Sequence, residues 1–127
     1  MISLYTVFII LIVHWIADFV LQTDKQAKGK SNNWNDLLEH TINYSIVWLP
    51  TMVLLCFINN IELINIKIPF LFFIITLVCH TITDYFTSRL NTKLWNKGDV
   101  HNFFVSIGFD QVLHYVQLFL TYYLLTN

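Results

Sequence analysis

The sequence predicts an all-α fold, an integral membrane four-helix bundle forming a single domain over residues 1–127. Three observations lead there. Hydrophobic residues make up 56% of the chain and charged residues 12%, with a mean hydropathy of +0.58, a balance that excludes a water-soluble globular domain. Four apolar stretches each reach the ~20 residues that a helix rising ~1.5 Å per residue needs to cross a ~30 Å hydrocarbon core. What lies between them is too short for a second domain or a nucleotide-binding α/β unit, so any chemistry belongs inside the bundle or at its rim.

Helices are expected over about residues 2–22, 36–58, 68–90 and 102–125. The first follows no basic leader and precedes no small-residue cleavage site, so it reads as a retained helix rather than a signal peptide. Gln22–Asp36, rich in Lys, Asn and Gln, reads as a polar turn that ends in an N-cap at Asn33, Asn35 or Asp36. The second helix contains Pro50, which should kink it, and Pro69 suits the first turn of the third. Trp34 and Trp95 stand where interfacial anchors would. Cys56 and Cys79 fall at different depths and have no partner at metal-ligand spacing, so both read as small apolar residues, not as a disulfide.

Charge placement sets the expected topology. Lys25, Lys28 and Lys30 lie between the first two helices and Arg89, Lys93 and Lys97 between the last two, whereas the middle connection, Asn59–Lys67, holds only Lys67. By the positive-inside rule the two basic loops are cytoplasmic, with both termini and the middle connection outside. The same six side chains could form a collar for anionic lipid headgroups. A net charge of −1 provides no field for recruiting nucleic acid, so membrane lipids and a second copy of the chain are the partners expected.

Polar residues inside the apolar stretches carry the functional reading. His14 and Asp18 are four apart, as are His80 and Asp84, Asp110 and His114, and Asp36 and His40, with Tyr44 four further on. Each pair shares a helix face. Eight acidic residues scattered over 127 positions would give five histidines fewer than one such pair, and four of the five have one. The helices alternate in direction, so the pairs converge on the cytoplasmic leaflet: Asp18, His40 and Asp84 at ~6–8 Å below its boundary, His14, His80 and Asp110 at ~12–14 Å, and His114 at ~18 Å.

Ionisable groups in a bilayer cost several kcal/mol unless paired, hydrated or bound to metal. Interhelical hydrogen bonds in membranes are worth only ~0.6–2 kcal/mol each, a poor offset for burying three carboxylates. Imidazole with carboxylate is a ligand set for divalent zinc, manganese and iron, and four-helix bundles build such centres from inward-facing His and acidic residues. The expected cofactor is therefore one or two divalent ions, zinc ahead of manganese or iron. Candidate ligands are His14, Asp18, His40, His80, Asp84, Asp110 and His114, with Gln22, Gln111 and Asp36 orienting them by hydrogen bonds. Gln117 lies near the same faces, and His101 at the mouth of the fourth helix reads as a solvated rim residue.

HWIADFVLQTDKQAKGK, LLEHTINY, HTITDYFTSRLN and FDQVLH resemble segments of the small membrane proteins of domain-of-unknown-function family 3307, found in bacteria and their phages. The His-x-x-x-Asp helical pattern is more distantly similar to inner-membrane proteins described as metal-dependent hydrolases. Carried over residue by residue, the resemblance implies functional positions at His14, Asp18, Gln22, His40, His80, Asp84, Asp110, Gln111 and His114, in a multi-pass protein of the bacterial inner membrane.

The expected activity is metal-dependent hydrolysis of a lipid or lipid-linked ester, amide or phosphoester. A metal lowers the pKa of bound water and polarises the scissile oxygen. An unligated carboxylate among Asp18, Asp84 and Asp110 would take the water's proton, and His40 or Tyr44 could protonate the leaving group. Two alternatives use the same residues differently: a metal-ion or proton transporter, and a non-enzymatic interaction module of bacterial or phage membranes. A transporter needs polar groups reaching the far side, and Ile2–Ile10, Val47–Ile58, Ile68–Val78 and Leu118–Leu125 are nearly all apolar.

Overall fold

The structure, a computed structural model, describes residues 2–61 and 67–127, and every regular element among them is helical. Helix α1 (Leu4–Trp15) continues into a π-helical turn, Ile16–Val20; a short α2 (Asp24–Gly29) precedes three long helices, α3 (Trp34–Ile58), α4 (Lys67–Asn96) and α5 (Val100–Thr126). Each of these three is long and apolar enough to cross a membrane. Helix α4 lies against α3 and α5, while α1 touches α3 and α5. The connection expected over Asn59–Lys67 falls partly on residues 62–66, outside the described residues.

The first apolar stretch differs most from expectation. Ser3 caps α1 by accepting from the Thr6 N–H at 3.2 Å, which leaves residue 2 outside the helix. At the other end the Leu21 N–H donates to the Ile16 carbonyl, five residues back, at 2.9 Å. That wider turn ends the α-helical register at Trp15. Leu4–Val20 comprises twelve α-helical and five π-helical residues, about 25 Å at the α-helical rise, short of a full ~30 Å core.

The polar segment Gln22–Asp36 is likewise more ordered than a turn. Thr23 forms a capping box with Gln26: its hydroxyl accepts from the Gln26 N–H at 3.2 Å, and the Gln26 side chain accepts from the Thr23 N–H at 3.0 Å. Gln26 is buried beneath α2. Asn33, one of three expected caps, starts α3 by accepting from the Asn35 N–H. Asp36, buried in the first turn of α3, pairs with Lys25 at 3.1 Å. Its carboxylate closes on Gly29, where a Cβ would collide with it, so α2 docks on α3 only because residue 29 has no side chain.

Helix α3 runs through Pro50, and Pro69 sits in the first turn of α4. The α4–α5 turn uses Gly98 at φ 72°, a conformation that only glycine takes without strain, and Asp99 then caps α5. Cys56 and Cys79 are free thiols.

The interior is inverted relative to a water-soluble protein. The buried face of α4 reads Pro69, Phe72, Thr76, His80, Asp84 and Ser88, whereas Val78, Ile82 and Phe86 point outward. On α5, Ser106, Asp110 and His114 are buried while Phe109, Val112 and Val116 are exposed. Such a distribution is stable only with hydrocarbon outside. Toward the other end the interior becomes apolar, with Ile10, Met52, Leu55, Phe72 and Leu118 fully enclosed.

Gly29→Ala should destabilise the protein by about 1–3 kcal/mol, as overpacking does. Thermal unfolding in detergent should show a lowered Tm, and Asp36→Ala in the same chain should restore most of it, because the second change removes the carboxylate that the first one meets, so the two cannot be additive. An unchanged Tm for Gly29→Ala would show that α2 is not docked against Asp36.

Candidate metal centre

Four elements deliver the inward-facing side chains. The i, i+4 spacing on α4 puts His80 and Asp84 on one buried stripe, and that on α5 does the same for Asp110 and His114. His40 projects from the first turns of α3. Asp18 belongs to the π turn and so leaves the face that α-helical spacing would give it; its carboxylate stands 3.9 Å from His14, too far for a hydrogen bond, and turns toward α3 and α4.

Four atoms converge there. His40 Nε2 lies 3.2 Å from His80 Nε2, 3.2 Å from Asp18 Oδ1 and 3.3 Å from Asp84 Oδ2; His80 Nε2 lies 3.6 Å from Asp18 Oδ1 and 3.7 Å from Asp84 Oδ2. A tetrahedral ion with bonds of ~2.0–2.1 Å holds neighbouring ligand atoms about 3.3–3.4 Å apart. Asp18, His40, His80 and Asp84 are all buried and fit that spacing, and Asp18 Oδ1 has no hydrogen-bond partner. Asp18, Asp110 and His114 form a second group that can hold an ion, sharing Asp18 with the first.

Hydrogen bonds link the imidazoles to one another and to Asp84. His114 Nε2–H donates to Asp84 Oδ1 at 3.2 Å, since a carboxylate only accepts. A neutral His114 would accept at Nδ1 from His80 Nδ1–H at 3.2 Å, and a protonated His114 would donate to His80 instead. In the neutral arrangement the His80 Nε2 lone pair faces the four-atom centre, the form a metal requires. Tyr44 stacks on the His80 ring, centroids 3.8 Å apart and planes 8° apart, and holds it in that orientation.

The family described as Protein of unknown function (DUF3307) matches residues 6–127. The chain belongs to this family. No curated protein and no solved structure matches it. For this DUF3307 protein, the chemistry of the site therefore rests on its own geometry.

Several residues stand elsewhere than the spacing alone implied. His14 is buried but carries no free lone pair: its Nε2–H donates to Gln111 Oε1 at 2.8 Å and Tyr44 O–H donates to its Nδ1 at 2.7 Å. It lies outside both ion-holding groups, because the π turn moved Asp18 away from it. Tyr44 is thus engaged as an orienting group between His14 and His80. Asp36 faces α2 and Lys25, not His40. Gln117 donates to Thr76 and Thr121, and His101 is exposed. Gln111 ties the centre together, its Nε2 donating to Asp18 Oδ2 and Asp110 Oδ2, both at 3.1 Å. Gln22 donates to the Asp18 carbonyl.

The basic residues separate into different tasks. Arg89 lies 3.6 Å over the Tyr85 ring, on which Trp34 stacks, and with exposed Lys93 and Lys97 lines a shallow cavity of about 390 Å³. Lys28 is exposed beside a larger cavity of about 580 Å³. Lys30, unlike the others, reaches inward, and its Nζ donates to Asp84 Oδ2 at 2.7 Å. Burial alone lowers the Lys30 pKa; Asp84 and Asp18 outweigh it and hold the ammonium above the ordinary lysine value. Nothing in the spacing of Lys30 marked it, since it stands in a loop and meets Asp84 across 54 residues. It offsets one of the three charges on ionised Asp18, Asp84 and Asp110, and a divalent ion would offset the other two.

His40→Ala and His80→Ala should each abolish stoichiometric metal in protein purified after zinc or manganese repletion, whereas His14→Gln should retain it. Elemental analysis against protein concentration reads this directly. The expected ratio is one ion per chain, because the two groups that can hold an ion share Asp18. Metal lost in His14→Gln and kept in His40→Ala would move the centre to α1.

Proposed function

We propose that this protein is a membrane-embedded metal-dependent hydrolase acting on a lipid or lipid-linked ester, amide or phosphoester. The observation that carries the reading is the buried convergence of Asp18 Oδ1, His40 Nε2, His80 Nε2 and Asp84 Oδ2 at the spacing of a tetrahedral ion. Such an ion would activate water and polarise the scissile oxygen. Asp18, His40 and His80 would hold the ion, and Asp84, already paired with Lys30, would be the weakest-held of the four candidates.

The remaining roles follow from the contacts of each side chain. Asp110 lines the larger cavity and offers a carboxylate oxygen within 4.8 Å of one from Asp18, so it is the base for the water proton. Thr87 and Gln111 hold that carboxylate in place. Lys30 lines the same cavity and supports the charge that develops on the leaving oxygen. Transport fits less well, since Ile10, Met52, Leu55, Phe72 and Leu118 close the interior beyond the centre. We place the chain in the bacterial cytoplasmic membrane as four packed helices, with α2 and the α4–α5 turn cytoplasmic by the positive-inside rule.

Reconstituted protein should change at least one species in a bacterial lipid extract, followed by mass spectrometry. Asp110→Asn should remove turnover by about 10²–10⁴-fold while retaining metal, because an amide keeps the shape but accepts no proton. Asp18→Asn should lose the metal itself. Metal-loaded wild type that alters no lipid yet moves Zn²⁺ or protons into vesicles would replace hydrolysis with transport.

Cysteines introduced in turn at Lys28 and Lys97 should resist a membrane-impermeant thiol reagent in intact cells and react after permeabilisation. Labelling from outside would invert the topology and place the centre in the opposite leaflet.

A further inference from the structure

The larger cavity carries features that hydrolysis in general does not require. It opens between the π turn, α2, the C-terminal part of α4 and the start of α5, with Asp18 and Asp110 lining it beside the proposed ion position. Its apolar wall includes Phe19, Phe103, Phe104 and Ile107; Phe19 and Phe104 are exposed on the outer surface, so this wall continues into the hydrocarbon-facing side of the helices. Lys28 and Lys30 supply positive charge on the polar side.

The polar lining is also unbalanced toward acceptors. Gln22 Oε1 and Asn91 Oδ1 are buried acceptors without hydrogen-bond partners, as is Asp18 Oδ1; the Ser88 hydroxyl, which can accept or donate, is also unpartnered, and all four residues line this cavity. The Gln22 amide orientation is set, because its Nε2 already donates to the Asp18 carbonyl. Ser88 is 7% exposed, so bulk water does not satisfy it. Buried acceptors left unpaired are costly, and a ligand that brings donors recovers that loss.

Deepening the hydrolase reading, on which it rests for the position of the reacting bond, we propose that this cavity binds an anionic lipid whose head carries hydroxyl groups beside its phosphate. The phosphate meets Lys28 and Lys30, the hydroxyls donate to Ser88 Oγ, Asn91 Oδ1 and Gln22 Oε1, and an acyl chain runs along Phe103, Phe104 and Ile107 outward. A choline head offers no donor and brings a cation toward two lysines, whereas phosphatidic acid satisfies the lysines and leaves the Gln22 and Asn91 amide oxygens unpaired.

The test uses full-length protein stripped of divalent ions with chelator, in nanodiscs of phosphatidylcholine, so that binding is read without turnover. Phosphatidylglycerol, phosphatidic acid and additional phosphatidylcholine are added in turn, with soluble glycerol phosphate as a tail-free arm. Bound lipid is counted by native mass spectrometry, and tryptophan emission is monitored with Trp95→Phe as the control, because Trp95 lines the cavity. Phosphatidylglycerol should bind tightest, phosphatidic acid next, and phosphatidylcholine and glycerol phosphate at least tenfold weaker.

Ser88→Ala and Asn91→Leu should each weaken phosphatidylglycerol by about fivefold, the worth of one net hydrogen bond, and leave phosphatidic acid unchanged. Lys28→Gln, at an exposed position that does not threaten folding, should weaken both anionic lipids equally. Equal binding of phosphatidylcholine and phosphatidylglycerol, glycerol phosphate binding as tightly as the lipid, or Ser88→Ala and Asn91→Leu failing to narrow the gap between the two anionic lipids would overturn the proposal. Phosphatidylglycerol preference without lipid turnover in metal-loaded protein would remove the hydrolase reading and keep the lipid site; turnover without that preference would do the reverse.

Discussion

The requirement to neutralise three buried carboxylates organises this molecule. Asp18, Asp84 and Asp110 are each at most 8% exposed, within a helical assembly whose outer surface is apolar. Ionised carboxylates in such a place need cations and donors, and nothing outside the protein provides them in hydrocarbon. Lys30 comes in from the loop, Gln111 bridges two of the acids, Thr87 donates to Asp110, and four histidines crowd the remaining space. Most of the tertiary contacts at this end of the structure are consequences of that demand, and a divalent ion at the His40–His80 pair would complete it.

The π turn is the device that makes the convergence work. One extra residue in the turn rotates the downstream chain by about 100° relative to an uninterrupted α-helix. Asp18 therefore leaves His14 and joins His40 and His80. His14, freed from its acid, links Tyr44 on α3 to Gln111 on α5, and Gln111 returns to Asp18. The helix is shortened as a spanning element in the same step, so the local geometry that assembles the site also limits the reach of α1.

Polarity is asymmetric along the interior. At one end lie ionisable groups, a cavity and a basic rim; at the other, Ile10, Met52, Leu55, Phe72 and Leu118 pack without a gap for charge. Thr6–Asn59 and Gln117–Thr76–Thr121 hydrogen bonds engage polar side chains there, while Gln117 Oε1 and Trp48 Nε1 are buried without partners. An interior arranged in this way gathers its ionisable groups and its larger cavity at one end.

The sequence by itself determined the helical class and which helix faces carry the ionisable side chains. Apolar length forces helices in a bilayer because backbone groups must be satisfied internally, and an acid four residues from a histidine marks one helix face whatever the helix packs against. The Thr23–Gln26 capping box was equally legible in the residues, though a polar turn was the simpler reading. Only the tertiary structure decided which members of that face meet. Lys30 and Asp84 are brought together by a loop closing over a distant helix; Asp36 and His40 share a face yet serve different neighbours, because Gly29 lets α2 approach one of them; and His14 gave up Asp18 to a π turn whose i, i+5 hydrogen bond no spacing rule announces. Periodicity specifies direction about a single axis, whereas ligand sets depend on rotations and approaches between axes, and those are fixed by packing.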